Sequence, residues 1–244
     1  MTHENHDEMD ARRMLAACYR LIARFGMTDL VSTHISARIP GTETILINPY
    51  GLLFHEIIAS NLVAVSLDGE PRDADAAAIN PAGYLIHGAI HGAREDAACV
   101  IHTHSANGVA LSCLTEGLLP ISQHALQFHD RIAYHAYEGI ALIEAEKARL
   151  VADLGHHRAM ILRNHGLLTV GRTVAEAFIL MFNLDRAAAI QIKAQAAGPI
   201  TLVDPAIREL TARQHEGFGG QPVGGPEWSA LLRDLARTDP DYID

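Results

Sequence analysis

Residues 99–105 read Cys-Val-Ile-His-Thr-His-Ser, a short apolar run that ends in two histidines one residue apart. A run this short with polar flanks predicts a buried strand. Residues i and i+2 of a strand face the same side. A strand end here sends both imidazoles to one side, either as two ligands of one metal or as surface histidines closing a strand. Far downstream, Met160-Ile161-Leu162-Arg163-Asn164-His165-Gly166 repeats the pattern of apolar run, histidine and glycine. His165 is therefore a third candidate ligand. Three neutral histidines leave a divalent ion its full charge and an open coordination position, as in a Lewis-acid site rather than a closed structural one.

The rest of the chain can be organised around that strand. Leu15, Tyr19, Ile22 and Phe25 recur at helical spacing and predict a helix over 8–26, stopped by Gly26. Val31–Ile39 and Thr44–Ile47 are rich in β-branched residues, and Pro40-Gly41 between them predicts a hairpin. Further strands are expected at 62–67, 97–103, 131–137, 159–163 and 167–170, with helices at 84–94, 105–114, 144–155 and 173–196. Strands interleaved with helices predict a three-layer α/β/α arrangement around a mixed sheet. Nothing resembling a linker falls between residues 10 and 195, so one domain is expected over about 1–200. Residues 201–244 read as a helical tail: a helix at 205–216, then Gly217, Gly219, Gly220, Gly224 and Gly225, then an amphipathic piece with Trp228, Leu231, Leu232 and Leu235. The tail is expected to move, or to pack on the domain or on a neighbouring subunit.

A formal net charge of −10 argues against nucleic acid and against anionic membranes, since both need clustered Lys and Arg. Cys18, Cys99 and Cys113 sit in apolar contexts without paired spacing, which predicts buried free thiols in a reducing cytoplasm. The polar, acidic start is unlike a signal peptide, and no apolar run is long enough to span a membrane. Of the fifteen histidines, His3, His6, His156, His157 and His215 fall in polar contexts and are expected to face solvent. His87 and His91 are four apart on the helix predicted over 84–94, a spacing that serves either metal chelation on one face or plain packing.

Several stretches together resemble the class II aldolase/adducin family. They are His34-Ile35-Ser36-Ala37-Arg38, the segment Ile47 to Glu56, Asn80-Pro81-Ala82-Gly83, His102-Thr103-His104, Leu162 to Leu167 and Thr173 to Phe178. The resemblance covers roughly residues 8–195. It implies a three-layer α/β/α fold with a mixed, largely antiparallel sheet, and a homotetramer with active sites between subunits. It also implies a divalent metal held by His102, His104 and His165. Zinc is the metal of the sugar-phosphate aldolases, and manganese, iron or cobalt would also suit histidine.

The departures from the sugar-phosphate pattern are specific. Where those aldolases carry Ser-Ser-Glu, with serines for the substrate phosphate and glutamate as acid/base, this chain has Pro81, Ala82 and Gly83. The Gly-Asn phosphate cradle becomes Thr33-His34, and a second Ser-Gly becomes Tyr50-Gly51. Phosphate needs hydroxyls, cations or backbone nests, so a non-phosphorylated small-molecule substrate is expected. His34 and His124 are the candidate acid/base groups. His34 replaces a substrate-contacting asparagine, and His124 stands near the position of a tyrosine that reaches into the neighbouring subunit's site. His87 is expected to support the site, and Arg38 to bind substrate or to pair at the surface. Two classes of function fit. One is a metal-dependent lyase, by retro-aldol cleavage or by decarboxylation of a hydroxyaromatic acid, since both leave a carbanion beside an oxygen whose charge a metal can spread. The other is a non-catalytic, adducin-like interaction module, which shares Asn-Pro-Ala-Gly and the Ile121-Ser122-Gln123 pattern. An iron-dependent oxygenase is a third reading of the same histidines.

Overall fold

The computed structural model describes residues 3–140, 143–216 and 223–244, with the side chains of 3–5 left out. Gly217, Gly219, Gly220 and the side chain of His3 lie outside the described residues. Seven strands form one sheet: β1 (His34–Arg38), β2 (Ile45–Ile47), β3 (Val63–Val65), β4 (Cys99–Thr103), β5 (Ile132–His135), β6 (Ala159–Leu162) and β7 (Gly166–Gly171). Their spatial order is β3-β2-β1-β4-β7-β6-β5. Every neighbouring pair is antiparallel except β5 and β6. The mixed, largely antiparallel sheet expected from the sequence is the one observed.

Alternation along the strands decides the layers. Cys99 and Ile101 join Ile161 and Leu167 in one buried cluster, with α1 (His3–Arg24) and α6 (Val174–Ala197). Val100 faces the other way, with Met160, Leu162, Leu168 and Val170, against α2 (Pro81–Ala93) and α5 (Glu146–Leu154). Helix α1 starts earlier than its apolar spacing suggested and stops before Gly26, whose φ of +69° ends it at little steric cost. Helix α2 starts three residues before the expected position. The Asn80 side chain accepts from the N–H groups of Ala82 (3.1 Å) and Gly83 (3.4 Å), and Pro81 needs no N–H at the first helical position. Buried Tyr19 ties α1 to the hairpin: its hydroxyl accepts from the N–H of Ile35 (2.9 Å) and of Asn48 (3.1 Å).

The remaining α-helices are α3 (Ala106–Ser112), α4 (Gln123–Leu126), α7 (Pro205–Glu216) and α8 (Gly225–Thr238). Trp228, Leu235 and Tyr242 are buried in the same cluster as Phe178 of α6 and Tyr19 of α1. Arg20 of α1 pairs with Asp239 (2.7 Å) and Arg24 with Asp234 (2.7 Å). Helix α8 thus packs on α1 and α6. Cys18 and Cys99 are buried, but Cys113 is exposed, because it falls just past the end of short α3, where the chain has turned to the surface. Among the described residues no helix is long and apolar enough to cross a membrane.

Candidate metal centre

β4 ends at Thr103, so His102 is its penultimate residue and His104 lies just beyond it. His165 sits in the three-residue loop between β6 and β7, where Leu162 pairs with Gly166. Asn164 holds φ of +56° there, and the N–H of His165 donates to the carbonyl of Leu162 (3.1 Å). The glycine after His165 has a steric reason: a Cβ on Gly166 would stand 2.4 Å from the carbonyl oxygen of Thr103. The two strand ends can therefore close on each other, and His102, His104 and His165 meet.

Their ring nitrogens converge. Nε2 of His104 lies 2.8 Å from Nε2 of His102 and 2.9 Å from Nε2 of His165. The other nitrogens of two rings are engaged. Nδ1–H of His102 donates to the carbonyl of Leu167 (2.9 Å), and Nδ1 of His104 lies 3.0 Å from a carboxylate oxygen of Asp29. A neutral imidazole with Nδ1–H has a bare lone pair on Nε2. Bare nitrogens at such distances repel one another unless a cation lies among them. The donor set fits a divalent metal with open positions, and the Nδ1 partners are of the kind that orient metal-binding histidines. Burial pushes the His102 imidazole well below its ordinary pKa, with His165 adding to the effect. Burial, then the neighbouring His104, lowers His165 to about 4. Both rings therefore offer lone pairs at neutral pH. Among the described residues, this is the one group of three or more His, Cys, Asp or Glu side chains close enough to share an ion.

Behind the triad lies a second, buried histidine group. His34 pairs with His102 across the β1–β4 register, and their ring centroids are 5.2 Å apart. Nδ1 of His34 is 2.8 Å from Nε2 of His87, and Nδ1 of His87 touches the hydroxyl of Ser36. That hydroxyl is 2.8 Å from Nε2 of His91, whose Nδ1–H donates to the carbonyl of Ala97 (2.9 Å). His87 supports His34 directly rather than the triad. Gly83 explains how His34 fits: a Cβ at residue 83 would stand 2.2 to 2.7 Å from three atoms of the His34 ring. The ring occupies space that any side chain at 83 would claim.

Other sequence candidates lie elsewhere in the chain. Arg38 is at the far end of β1, where a guanidinium N–H donates to the carbonyl of His91. His124, on α4, lies beside His215 of α7. The sequence reading missed Asp29 and Tyr137. Tyr137 is half exposed, with its ring centroid 6.1 Å from that of His165. It follows β5 at an i+2 spacing from His135, but no sequence signal fixed which face that spacing served. A separate cavity of about 790 Å³ is lined by Arg131, Arg158, Arg172 and His157, and none of the triad borders it.

The comparisons with known proteins agree with this architecture. Residues 13–192 match the Class II Aldolase and Adducin N-terminal domain. A Pseudomonas aeruginosa protein named provisionally as a class 2 aldolase is 49% identical over 243 residues, covering 96% of this chain and 92% of its own. Mouse alpha-adducin is 42% identical over 240 residues, covering 92% of this chain but only 32% of the adducin. Among solved structures, an aldolase II superfamily protein from Pseudomonas syringae superposes with a TM-score of 0.93 at 48% identity, covering 100% of this chain and 98% of that one. The L-fuculose 1-phosphate aldolase of Glaciozyma antarctica superposes with a TM-score of 0.85 at 26% identity, covering 99% and 95%.

Proposed function

The chain belongs to the class II aldolase and adducin N-terminal domain family, and from that premise we propose that it is a metal-dependent carbon–carbon lyase acting on a non-phosphorylated substrate. One observation carries the reading: three Nε2 atoms converge while Leu167 and Asp29 hold the opposite nitrogens of two of the rings. His102, His104 and His165 would hold the ion, with zinc the first choice and manganese, iron or cobalt also compatible with imidazole. When bound, the ion supplies positive charge to an oxygen beside the breaking bond.

The chain's own groups account for the rest. In retro-aldol cleavage a hydroxyl proton must be accepted, an aldehyde leaves, and the carbon that keeps the bonding pair is then protonated. In decarboxylation carbon dioxide leaves and only the final protonation is needed. His34 lies beside His102 and Tyr137 beside His165, as candidate acceptor and donor. The residues aligned with the two phosphate-binding serines are Pro81 and Ala82, which offer no side-chain donor, and this supports a substrate without phosphate. A hydroxyaromatic acid or a β-hydroxy carbonyl compound fits that description. The reading includes a homotetramer in which His124 of one subunit serves the site of the next. Sedimentation of the wild type, with His124→Ala assayed beside it, tests that part.

The second reading is an adducin-like interaction module. Its support is the 42% identity to alpha-adducin, against 26% to a named sugar-phosphate aldolase. Titrating metal-free protein with zinc separates the two. Stoichiometric uptake, followed by carbon dioxide or aldehyde release in a substrate screen, supports the lyase. Absence of uptake supports the module.

A further inference from the structure

The buried line Ala97–His91–Ser36–His87–His34 has only one consistent arrangement of protons. The Ala97 carbonyl can only accept, so His91 places its proton on Nδ1. His91 is fully buried, and among the described residues no carboxylate bonds to any member of the line. Burial accordingly lowers His91 to about 3, and the ring is neutral. Its Nε2 must then accept from the Ser36 hydroxyl. That hydroxyl has spent its one proton, so it accepts from Nδ1–H of His87. Neutral His87 keeps a bare Nε2, which accepts from Nδ1–H of His34. Each link fixes the next, and the last atom is Nε2 of His34. Among the described residues nothing donates to it. It lies on the ring edge over Gly83.

We infer that the Ala97 carbonyl, acting through His91, Ser36 and His87, locks His34 as a hydrogen-bond acceptor, so that the ligand group docking at His34 Nε2 is a hydroxyl or another donor and not a carboxylate or phosphate. His34 is then a specificity-determining residue, and Ser36, His87 and His91 are positioning residues. An asparagine at residue 34 could turn either its oxygen or its N–H to the ligand. The locked imidazole can present only a lone pair, and a lone pair facing an anionic oxygen is repulsive. This inference rests on the proposed site, but the proton arrangement exists without metal or substrate and can be read independently of them.

The experiment is long-range 1H–15N correlation on the full-length chain labelled with 15N-histidine, metal-free, with assignments from His34→Asn and His91→Phe. The expected result is protonated Nδ1 and bare Nε2 on His34, His87 and His91 alike. Ser36→Ala should leave His91 in place while His34 and His87 populate both tautomers. Sulfate stands in for an ionised phosphate and has no O–H to donate at neutral pH; its binding to the zinc-loaded proteins, by calorimetry, gives the second readout: about tenfold tighter in His34→Asn, with a smaller gain in Ser36→Ala, tenfold being about 1.4 kcal/mol. A proton on Nε2 of His34 in the wild type overturns the inference. So does an unchanged His34 tautomer in Ser36→Ala, or equal sulfate affinity in all three proteins. Failure to take up zinc would instead count against the lyase reading and leave the tautomer result standing.

Discussion

Gly83→Ala should destabilise this protein only while His34 is present. The added Cβ would stand 2.2 Å from Cδ2, 2.4 Å from Nε2 and 2.7 Å from Cγ of the His34 ring. Ordinary carbon contacts start near 3.5 Å, so the ring must retreat by about 1 Å. His34 is buried and cannot swing into solvent. Its 2.8 Å bond to His87 breaks, and a buried ring nitrogen is left without a partner. Overpacking costs about 1–3 kcal/mol and the orphaned nitrogen a similar amount. Against this, alanine is favoured over glycine in a helix by about 1 kcal/mol. The net expectation is a loss of about 1–5 kcal/mol, centred near 3. In a His34→Ala background the clash is absent, and the same Gly83→Ala change should stabilise by about 0.5–1 kcal/mol. Urea unfolding followed through Trp228, the single tryptophan, reports both, because its ring packs 5.5 Å from Phe178 in the core. An equal effect in the two backgrounds would refute the steric argument.

Other consequences can be checked as directly. Asp29→Asn should weaken zinc binding about 10- to 100-fold without unfolding the chain, measured by competition with a chelating dye. Unchanged affinity would mean that Asp29 does not orient His104. Gly166→Ala should destabilise and also lower metal affinity, since its Cβ would meet the Thr103 carbonyl at 2.4 Å and pry the two strand ends apart; an effect on stability alone counts against the closure argument. Stability should depend on pH through His91. Its folded value of about 3 lies below the ordinary 6.5, so below pH 6.5 the unfolded chain takes up a proton that the native chain refuses. The contribution is full above pH 6.5 and is lost at up to about 1.4 kcal/mol per pH unit as pH falls toward 3. His91→Phe should flatten that slope in urea midpoints taken from pH 7 to pH 5, and an unchanged slope would contradict a buried neutral His91.

Much of the fold was legible because the chain alternates on schedule. Cys99 and Ile101 against Val100 sort the central strand's two faces, and Thr173 opens α6 by accepting from the N–H of Glu176 (3.1 Å). The triad was legible for a similar reason: apolar runs that end in His mark strand ends, and the two ends are brought together by β4–β7 pairing. Strand periodicity alone did not place His104, which lies past β4 and is aimed by Asp29 from a loop with no motif of its own. The relay could have been found from two patterns taken together. His34 and Ser36 share a strand face, and His87 and His91 share a helix face. Arg38 shares the His34 face yet stands four residues along the strand, roughly 13 Å away at strand rise, so facing alone did not bring it to the site. Nothing local predicts that α4 carries His124 toward α7, because that contact depends on the path of the tail.

The central claim is that His102, His104 and His165 hold one divalent ion. Elemental mass spectrometry on untagged, dialysed protein, with His165→Ala beside it, tests it most directly. The account predicts one ion per chain in the wild type, as isolated or after exposure to zinc, manganese or ferrous iron, and its loss in the variant. Wild-type protein that holds no ion and takes none up, or a variant that keeps the wild-type stoichiometry, would contradict it.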